Sequence, residues 1–276
     1  MASKLTDYTR LCLHTITTKP WSIEECIDNY SKAGIHALTI WRNVLENKNL
    51  KEVQKHIENS GITVVSICRG GFFASVNAQK RQLAIDDNLF TIEQAVAVGA
   101  PLIVMVCGAD PEQSLEKSRE QIKEGILKIL PFAQKAGVKL AIEPLHPMYA
   151  GDRSAINTLK QANQIVDEIN SEMAGVAVDV YHLWWDPNLK EEINHCAANN
   201  HLLAFHVCDW NVPTVDFLND RGLMGDGCIN VPLIRSWVEE AGFNGFVEVE
   251  IFSNKYWTMD QTEYLEKIKR AYLNYT

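Results

Sequence analysis

The sequence predicts a single-domain α/β protein built as a closed (β/α)8 TIM barrel, and three observations lead to that prediction. Short apolar runs rich in Val, Ile and Leu alternate with longer amphipathic stretches, which is the pattern of strand–helix units around a parallel sheet. A glycine recurs where several of the helices should end. The chain has 276 residues, of which 46% are hydrophobic, and this suits one barrel. We therefore expect residues 1–276 to form one domain.

Eight apolar runs are the predicted strands. They span residues 9–15, 37–42, 63–68, 102–107, 139–145, 175–180, 202–208 and 245–251. The first run continues into His14 and the residues up to Pro20 without a glycine. An open doubly wound sheet usually has a glycine-rich phosphate loop at this point, so the closed barrel is the preferred architecture.

The helical stretches carry start and stop signals. The first begins at Ser22, and Glu25 stands three residues later, which is the pattern of a capping box. Several helices should end at a glycine that takes a left-handed conformation before the next strand. These glycines are Gly34, Gly61, Gly99, Gly137 and Gly242. Their recurrence indicates one repeated structural unit.

Composition excludes some classes of function. The net charge of −9, with no basic run, makes nucleic acid and membranes poor partners. The N-terminus lacks the apolar segment of a signal peptide and no stretch is long enough to span a bilayer, so we expect a cytoplasmic protein. Seven dispersed cysteines without a CxxC pair indicate reduced thiols rather than a disulfide framework.

Four predicted strands end in a side chain that can bind a metal. Strand phase places these side chains inside the barrel near its carboxyl end, where barrel enzymes carry their chemistry. They are Glu143, Asp179, His206 and Glu250. In phase with them, one layer deeper, stand Ala141, Ala177, Ala204 and Glu248.

A shared cation explains the four side chains together, because a buried carboxylate without one would be costly. Taken singly, each could as well be a polar group at the barrel mouth. Three carboxylates and one imidazole favour one hard or borderline six-coordinate ion, such as Mn2+, Co2+ or Mg2+, over a thiolate-type zinc site. Glu248 lies deeper, and we expect it to pair with Arg10 and to have a structural role.

The ordered motifs resemble those of the sugar-phosphate isomerase/epimerase superfamily, the xylose-isomerase-like barrels. They are EPLHP from Glu143, DVYH from Asp179, HVCDW from His206, GDG from Gly225 and GFVEVE from Gly245 to Glu250. The resemblance implies a Mn2+-type ion held by the four side chains named above. It also implies removal of the proton beside a keto-sugar's ketone, followed by epimerisation, isomerisation or elimination.

Within the superfamily, the chain departs from the ketose 3-epimerases. It has Leu145-His146-Pro147 where they carry an Asn-Arg-aromatic-Glu signature, and a longer loop separates Arg221 from His206. The sequence resembles more closely the large subunits of C-glycoside deglycosidases. That resemblance implies a lyase that cleaves 3-oxo-C-glycosides by β-elimination, together with a smaller partner subunit in an oligomer. The alternative is a keto-sugar or sugar-phosphate isomerase or epimerase.

The sequence also predicts individual catalytic and substrate-binding residues. His146 is the predicted base, with bracing of a loop as its structural alternative, and His182 could orient substrate, act as a second acid or base, or cap the loop. We also expect Glu143 and Glu250 to take part in catalysis. The predicted substrate contacts are His14, Trp41, Arg69, Trp185 and Arg221, each with a structural role as its alternative.

Two further features complete the predicted mouth. Trp184 shares a strand exit with Trp185, and packing in the core should account for at least one of the predicted mouth tryptophans. Arg69-Gly70-Gly71 is interpreted as a flexible loop and a weak anion-site signal.

Two other classes of function are less favoured. An endonuclease IV-like DNA repair enzyme would need more histidine ligands and a basic groove, and the sequence shows neither clearly. A protein that binds a sugar without catalysis would retain metal affinity but exchange no proton.

Overall fold

The computed structural model describes residues 4–276 and contains a closed barrel of eight parallel strands. The strands are β1 (Leu11–His14), β2 (Ala37–Trp41), β3 (Thr63–Gly71), β4 (Leu102–Val106), β5 (Lys139–Ile142), β6 (Ala174–Asp179), β7 (Leu202–Val207) and β10 (Val247–Val249). Around the barrel they follow the order β1, β10, β7, β6, β5, β4, β3, β2. Each predicted apolar run overlaps one of these strands, although β3 extends to Gly71 and β6 begins at Ala174, so the predicted (β/α)8 fold is confirmed.

Helices follow the strands and surround the barrel. They are α1 (Ile23–Lys32), α2 (Leu50–Ser60), α3 (Ala78–Val98), α4 (Leu115–Ala136), α5 (Leu159–Ile169), α6 (Val180–Leu183), α7 (Leu189–Ala198), α8 (Val231–Glu240), α9 (Asn254–Trp257) and α10 (Gln261–Tyr275). The predicted capping box at Ser22 and Glu25 is confirmed by reciprocal side-chain to backbone hydrogen bonds. Within residues 4–276, none of these helices combines the length and apolar character that a membrane crossing requires.

A short antiparallel hairpin stands outside the barrel at its carboxyl end. It consists of β8 (Asp209–Trp210) and β9 (Arg221–Gly222), with Trp210 paired to Arg221. The hairpin follows β7 directly. It therefore carries Arg221 back toward the end of the strand that contains His206.

The predicted glycine helix ends are confirmed. All five glycines take positive φ angles, between 71° at Gly61 and Gly137 and 100° at Gly242. At Gly137 a Cβ would meet no atom within 4 Å, so the backbone conformation and not lack of space accounts for the glycine. Asn170 takes the same role at the end of α5, with a φ of 49°.

The strand phase read from the sequence is also confirmed. Ala141, Ala177 and Ala204 pack together in a small cluster of their own, apart from the main core. Their sequence neighbours, such as Leu140 and Val178, belong to the larger core beneath the helices. The main core therefore forms between strands and helices, and the small cluster fills the barrel.

Two local predictions are wrong. The Arg69-Gly70-Gly71 segment is part of β3, where a register shift keeps Gly70 and Gly71 paired with β4. A Cβ at Gly71 would lie 2.0 Å from the Val106 carbonyl oxygen, so glycine here permits close strand contact rather than flexibility.

The predicted pair of Arg10 and Glu248 does not form. Arg10 precedes β1 at the amino end of the barrel and binds Glu239, with 2.7 Å between Nη1 and Oε1. Glu248 is paired in register with Cys12, two residues further along the strand direction, and its side chain is buried. The two charges therefore lie at different depths.

Candidate metal centre

Four buried side chains meet at the carboxyl end of the barrel. Asp179 ends β6, His206 lies in β7, and Glu143 and Glu250 directly follow β5 and β10. Each offers one ligand atom, and these atoms all lie within 4.8 Å of one another. The four strands are neighbours in the barrel, so their ends converge. The structure thus brings together the four residues that the sequence predicts as metal ligands.

Two features of this acid cluster fit a divalent cation. The buried Nε2 of His206 makes no hydrogen bond among residues 4–276, with Oε2 of Glu248 3.8 Å away, while its Nδ1 lies 2.9 Å from Oε1 of Glu143. Burial raises the pKa of Asp179 to about 7, although the charge of Arg221 opposes that rise. A cation would compensate the buried carboxylates, and three carboxylates with one imidazole are ligands that Mn2+, Co2+ or Zn2+ accepts.

Arg221 borders the acid cluster. Its Nη1 lies 2.8 Å from Oε2 of Glu250 and 3.3 Å from Oδ2 of Asp179, and its Nη2 lies 3.3 Å from Nε2 of His182. The guanidinium is stacked over the ring of Tyr181 at 4.3 Å. The hairpin therefore places one fixed positive charge against two of the candidate ligands.

A layer of hydrogen bonds lies beneath the acid cluster. His14 is completely buried, with Nε2 3.1 Å from Glu248 and Nδ1 2.8 Å from Glu250. Burial alone would lower the pKa of His14, but these carboxylates raise it to about 10. Thr39 donates a second hydrogen bond to Glu248. His14 therefore orients Glu250 from below, whereas the sequence predicts it as a substrate contact.

A cavity of about 130 Å³ opens beside the acid cluster. Its lining includes Glu143 and Glu250 together with four other residues that the sequence singles out, Trp41, Arg69, His182 and Arg221. A larger cavity of about 900 Å³ shares Trp41 and Arg69 with it. Predicted ligands and predicted substrate contacts thus face one space.

His146 and Trp185 are not among the residues that line either of these cavities. The His146 ring lies 5.8 Å from the ring of Trp185 and 5.2 Å from that of Trp210, and its Nδ1 accepts a hydrogen bond from the Met148 amide. Partial burial lowers the pKa of His146. Trp184 packs against the main core.

His182 occupies the position nearer the acid cluster. It is buried, it lines the smaller cavity, and its Nε2 lies 3.7 Å from Oδ2 of Asp179. Burial, together with the charge of Arg221, holds the pKa of His182 well below its usual value. The DVYH motif after β6 thus contributes both a candidate ligand and an imidazole at the cavity wall.

Sequence reasoning missed that residues 211–220 contribute to the cavity wall. The Phe217 carbonyl accepts hydrogen bonds from the hydroxyls of Tyr149 and Tyr181, at 2.8 and 2.7 Å, and Leu218 lines the cavity. Tyr181 stands in the DVYH motif and Tyr149 lies two residues after the EPLHP motif, and these positions after predicted strands were an available signal. Arg153 also lines the cavity, but it lies in an irregular turn without any sequence signal.

Comparisons with known proteins agree with the barrel fold. A family model described as xylose isomerase-like TIM barrel matches residues 27–270. An inosose isomerase from Halalkalibacterium halodurans is 24% identical over 273 residues, which is 94% of each chain. A solved structure of a protein from Sinorhizobium meliloti 1021 is 40% identical, with a TM-score of 0.94 over 98% of this chain and 99% of that one.

A further solved structure bears on the metal. The IOLI protein, solved with a zinc atom bound, is 20% identical, with a TM-score of 0.84 over 95% of this chain and 96% of that one. At this identity the likeness shows a shared fold. A protein of this fold thus holds a divalent metal ion.

Proposed function

Because the chain belongs to the xylose isomerase-like TIM barrel family, we propose that it is a metal-dependent isomerase or epimerase of a keto-sugar or cyclic keto-polyol. The observation that carries the proposal is the meeting of four candidate ligand atoms within 4.8 Å of one another beside a cavity. Inosose isomerase is the activity named for a relative that matches nearly the full length of this chain. An inosose-type ring ketone is therefore the first substrate to test.

We propose Glu143, Asp179, His206 and Glu250 as the ligands of one divalent ion. Such an ion supplies a Lewis acid that polarises the ketone of the substrate. Mn2+ is the preferred ion for this set of donors, and the zinc in the IOLI protein makes Zn2+ a second ion to test.

The side chains at the cavity perform the proton transfers. One of them removes the proton from the carbon beside the ketone, which gives an enediol-type intermediate. Delivery of that proton to the former carbonyl carbon, with the proton of the neighbouring hydroxyl passed to the former carbonyl oxygen, moves the ketone. Delivery of a proton from a second group on the opposite face inverts the centre. His182 is the imidazole that lines the cavity, and it is therefore our candidate for this step. Trp41 offers an aromatic face to the sugar, and Arg221 a hydrogen-bond donor.

The experiment is solvent deuterium exchange. The protein is stripped with EDTA, reloaded with Mn2+, Co2+, Mg2+ or Zn2+, and incubated in D2O with scyllo-inosose and a panel of ketoses. We expect deuterium at the carbon beside the ketone, followed by an isomeric product. Glu250→Gln should abolish exchange, whereas Glu172→Gln, at an exposed glutamate before β6, should not. Absence of exchange on every ketone with every metal would contradict the proposal.

The lyase interpretation is the alternative. It requires release of an aglycone from a 3-oxo-C-glucoside by β-elimination, together with the smaller partner subunit that the resemblance to C-glycoside deglycosidases implies. Aglycone release, in place of exchange on free ketoses, would favour it. The inosose isomerase relative supports the isomerase or epimerase interpretation instead.

A further inference from the structure

We propose that the substrate carries an anionic group, a phosphate or a carboxylate, and that Arg69 and Arg153 bind this group at the cavity beside the acid cluster. The inference rests on the proposed function and narrows its substrate class. Both arginines line the cavity of about 130 Å³ that also contains Glu143 and Glu250. A substrate held there would meet the acid cluster and the two arginines together.

Arg69 has no carboxylate within ion-pairing distance in the part of the chain that the structure describes. The group against its guanidinium is the ring of Phe72, at 4.3 Å. The residue is partly buried, and its backbone is fixed in β3, where its carbonyl accepts a hydrogen bond from Arg42. A guanidinium that is partly withdrawn from water and has no counter-ion is a ready partner for an anion.

Arg153 is only loosely paired. Its nearest carboxylate is that of the adjacent Asp152, 3.9 Å from Nε and 71% exposed, and an ion pair in water contributes little. The backbone of Arg153 is anchored, because its amide donates to the Tyr149 carbonyl and its own carbonyl accepts from Gly108. A fixed turn thus holds the second guanidinium at the cavity.

Two other arginines nearby, Arg42 and Arg221, already form close ion pairs with carboxylates. Arg42 forms two 2.7 Å hydrogen bonds to the carboxylate of Asp87, and Arg221 contacts Glu250 and Asp179. The whole chain carries a net charge of −9, so the local positive charge of two weakly paired arginines at one cavity is opposite in sign to the net charge of the protein. Burial and the charge of Arg153 both lower the pKa of Arg69, and an anion between the two would relieve that repulsion.

The test measures binding without turnover. Calorimetry on the Mn2+-loaded protein compares glucitol with glucitol 6-phosphate and with gluconate, none of which has a ketone. We expect at least one anionic ligand to bind roughly tenfold more tightly than glucitol, since hydrogen bonds to charged groups are the stronger kind. Arg69→Gln and Arg153→Gln should each reduce that preference. Arg270→Gln, at an exposed arginine on α10, is the matched control and should keep it.

The outcomes separate the two proposals. Equal affinity for neutral and anionic ligands, or a preference that survives in both variants, overturns the anion site. Tighter binding of the phosphate identifies a phosphorylated substrate, and tighter binding of gluconate identifies a sugar acid. If no ketose, ketose phosphate or keto sugar acid exchanges deuterium but the arginine-dependent preference persists, the anion site stands and the proposed reaction fails.

Discussion

At the scale of single residues, the acid cluster was predictable because it follows from strand phase. Side chains two apart along a strand share a face, so Ala141 marked Glu143 as inward-facing, and Ala177 marked Asp179. The partners of the deeper residues were not predictable. Glu248 meets His14 and not Arg10, because the stagger of neighbouring strands fixes depth, and no single strand contains that information.

Substitution of His182 and of His146 should have different effects on the rate of exchange. We expect His182→Gln to lower kcat for deuterium exchange by about a hundredfold or more, which is the usual contribution of a positioned acid or base. His146→Gln should cost less than about tenfold, because His146 accepts a hydrogen bond from the Met148 amide and does not line the cavity. Both variants are compared in kcat, KM and thermal midpoint.

The opposite ranking would restore His146 as the base. Burial lowers the pKa of His146 from its usual 6.5, so its neutral form persists below pH 6.5. A rate that depends on it would fall only at still lower pH. That acid limb would then be lost in His146→Gln, and its loss would contradict the assignment to His182.

At the scale of elements, the helix ends could be predicted from the sequence, whereas the contacts of the loops at the carboxyl end could not. A glycine before a strand predicts a left-handed helix end from local conformation alone, and the structure bears this out at Gly137. The contribution of residues 211–220 to the cavity wall depends on two tyrosines from distant segments that donate to Phe217. Such contacts between distant segments leave no periodic signal in the sequence.

Gly137 offers a test of the conformational argument. We expect Gly137→Ala to lower the free energy of unfolding by about 1 to 2 kcal/mol, because its φ of 71° is strained for a residue with a Cβ. Gly137→Asn should cost less, since Asn170 already adopts this conformation at the end of α5. Chemical denaturation measures both variants. Equal losses of unfolding free energy in the two variants would show that a feature other than the backbone conformation at Gly137 matters. Exchange activity should be unchanged in each variant.

At the scale of the whole molecule, metal binding and folding stability are linked. The four candidate ligands come from four strands of the barrel, so an ion that binds them ties together β5, β6, β7 and β10. A ligand that binds only the folded state raises its stability in proportion to the logarithm of its concentration. The acid cluster should therefore be visible in thermal unfolding before any substrate is known.

With Mn2+ at 100 times its Kd, stability should rise by about 2.7 kcal/mol, which for a chain of this size is an increase in Tm of about 5 °C. EDTA should reverse it. Glu250→Gln should lose most of the shift, whereas Glu172→Gln should keep it. A shift of equal size in Glu250→Gln would place the ion elsewhere.

The five glycine helix ends lie before strands, at the rim of the barrel opposite the acid cluster. The glycines that end the helices and the candidate metal ligands therefore lie at opposite ends of the barrel. Segments between a strand and the following helix, such as residues 211–220, lie at the rim that carries the acid cluster, so changes there leave the opposite rim in place. For protein engineers, stabilising changes and changes of specificity can be sought independently, one rim at a time.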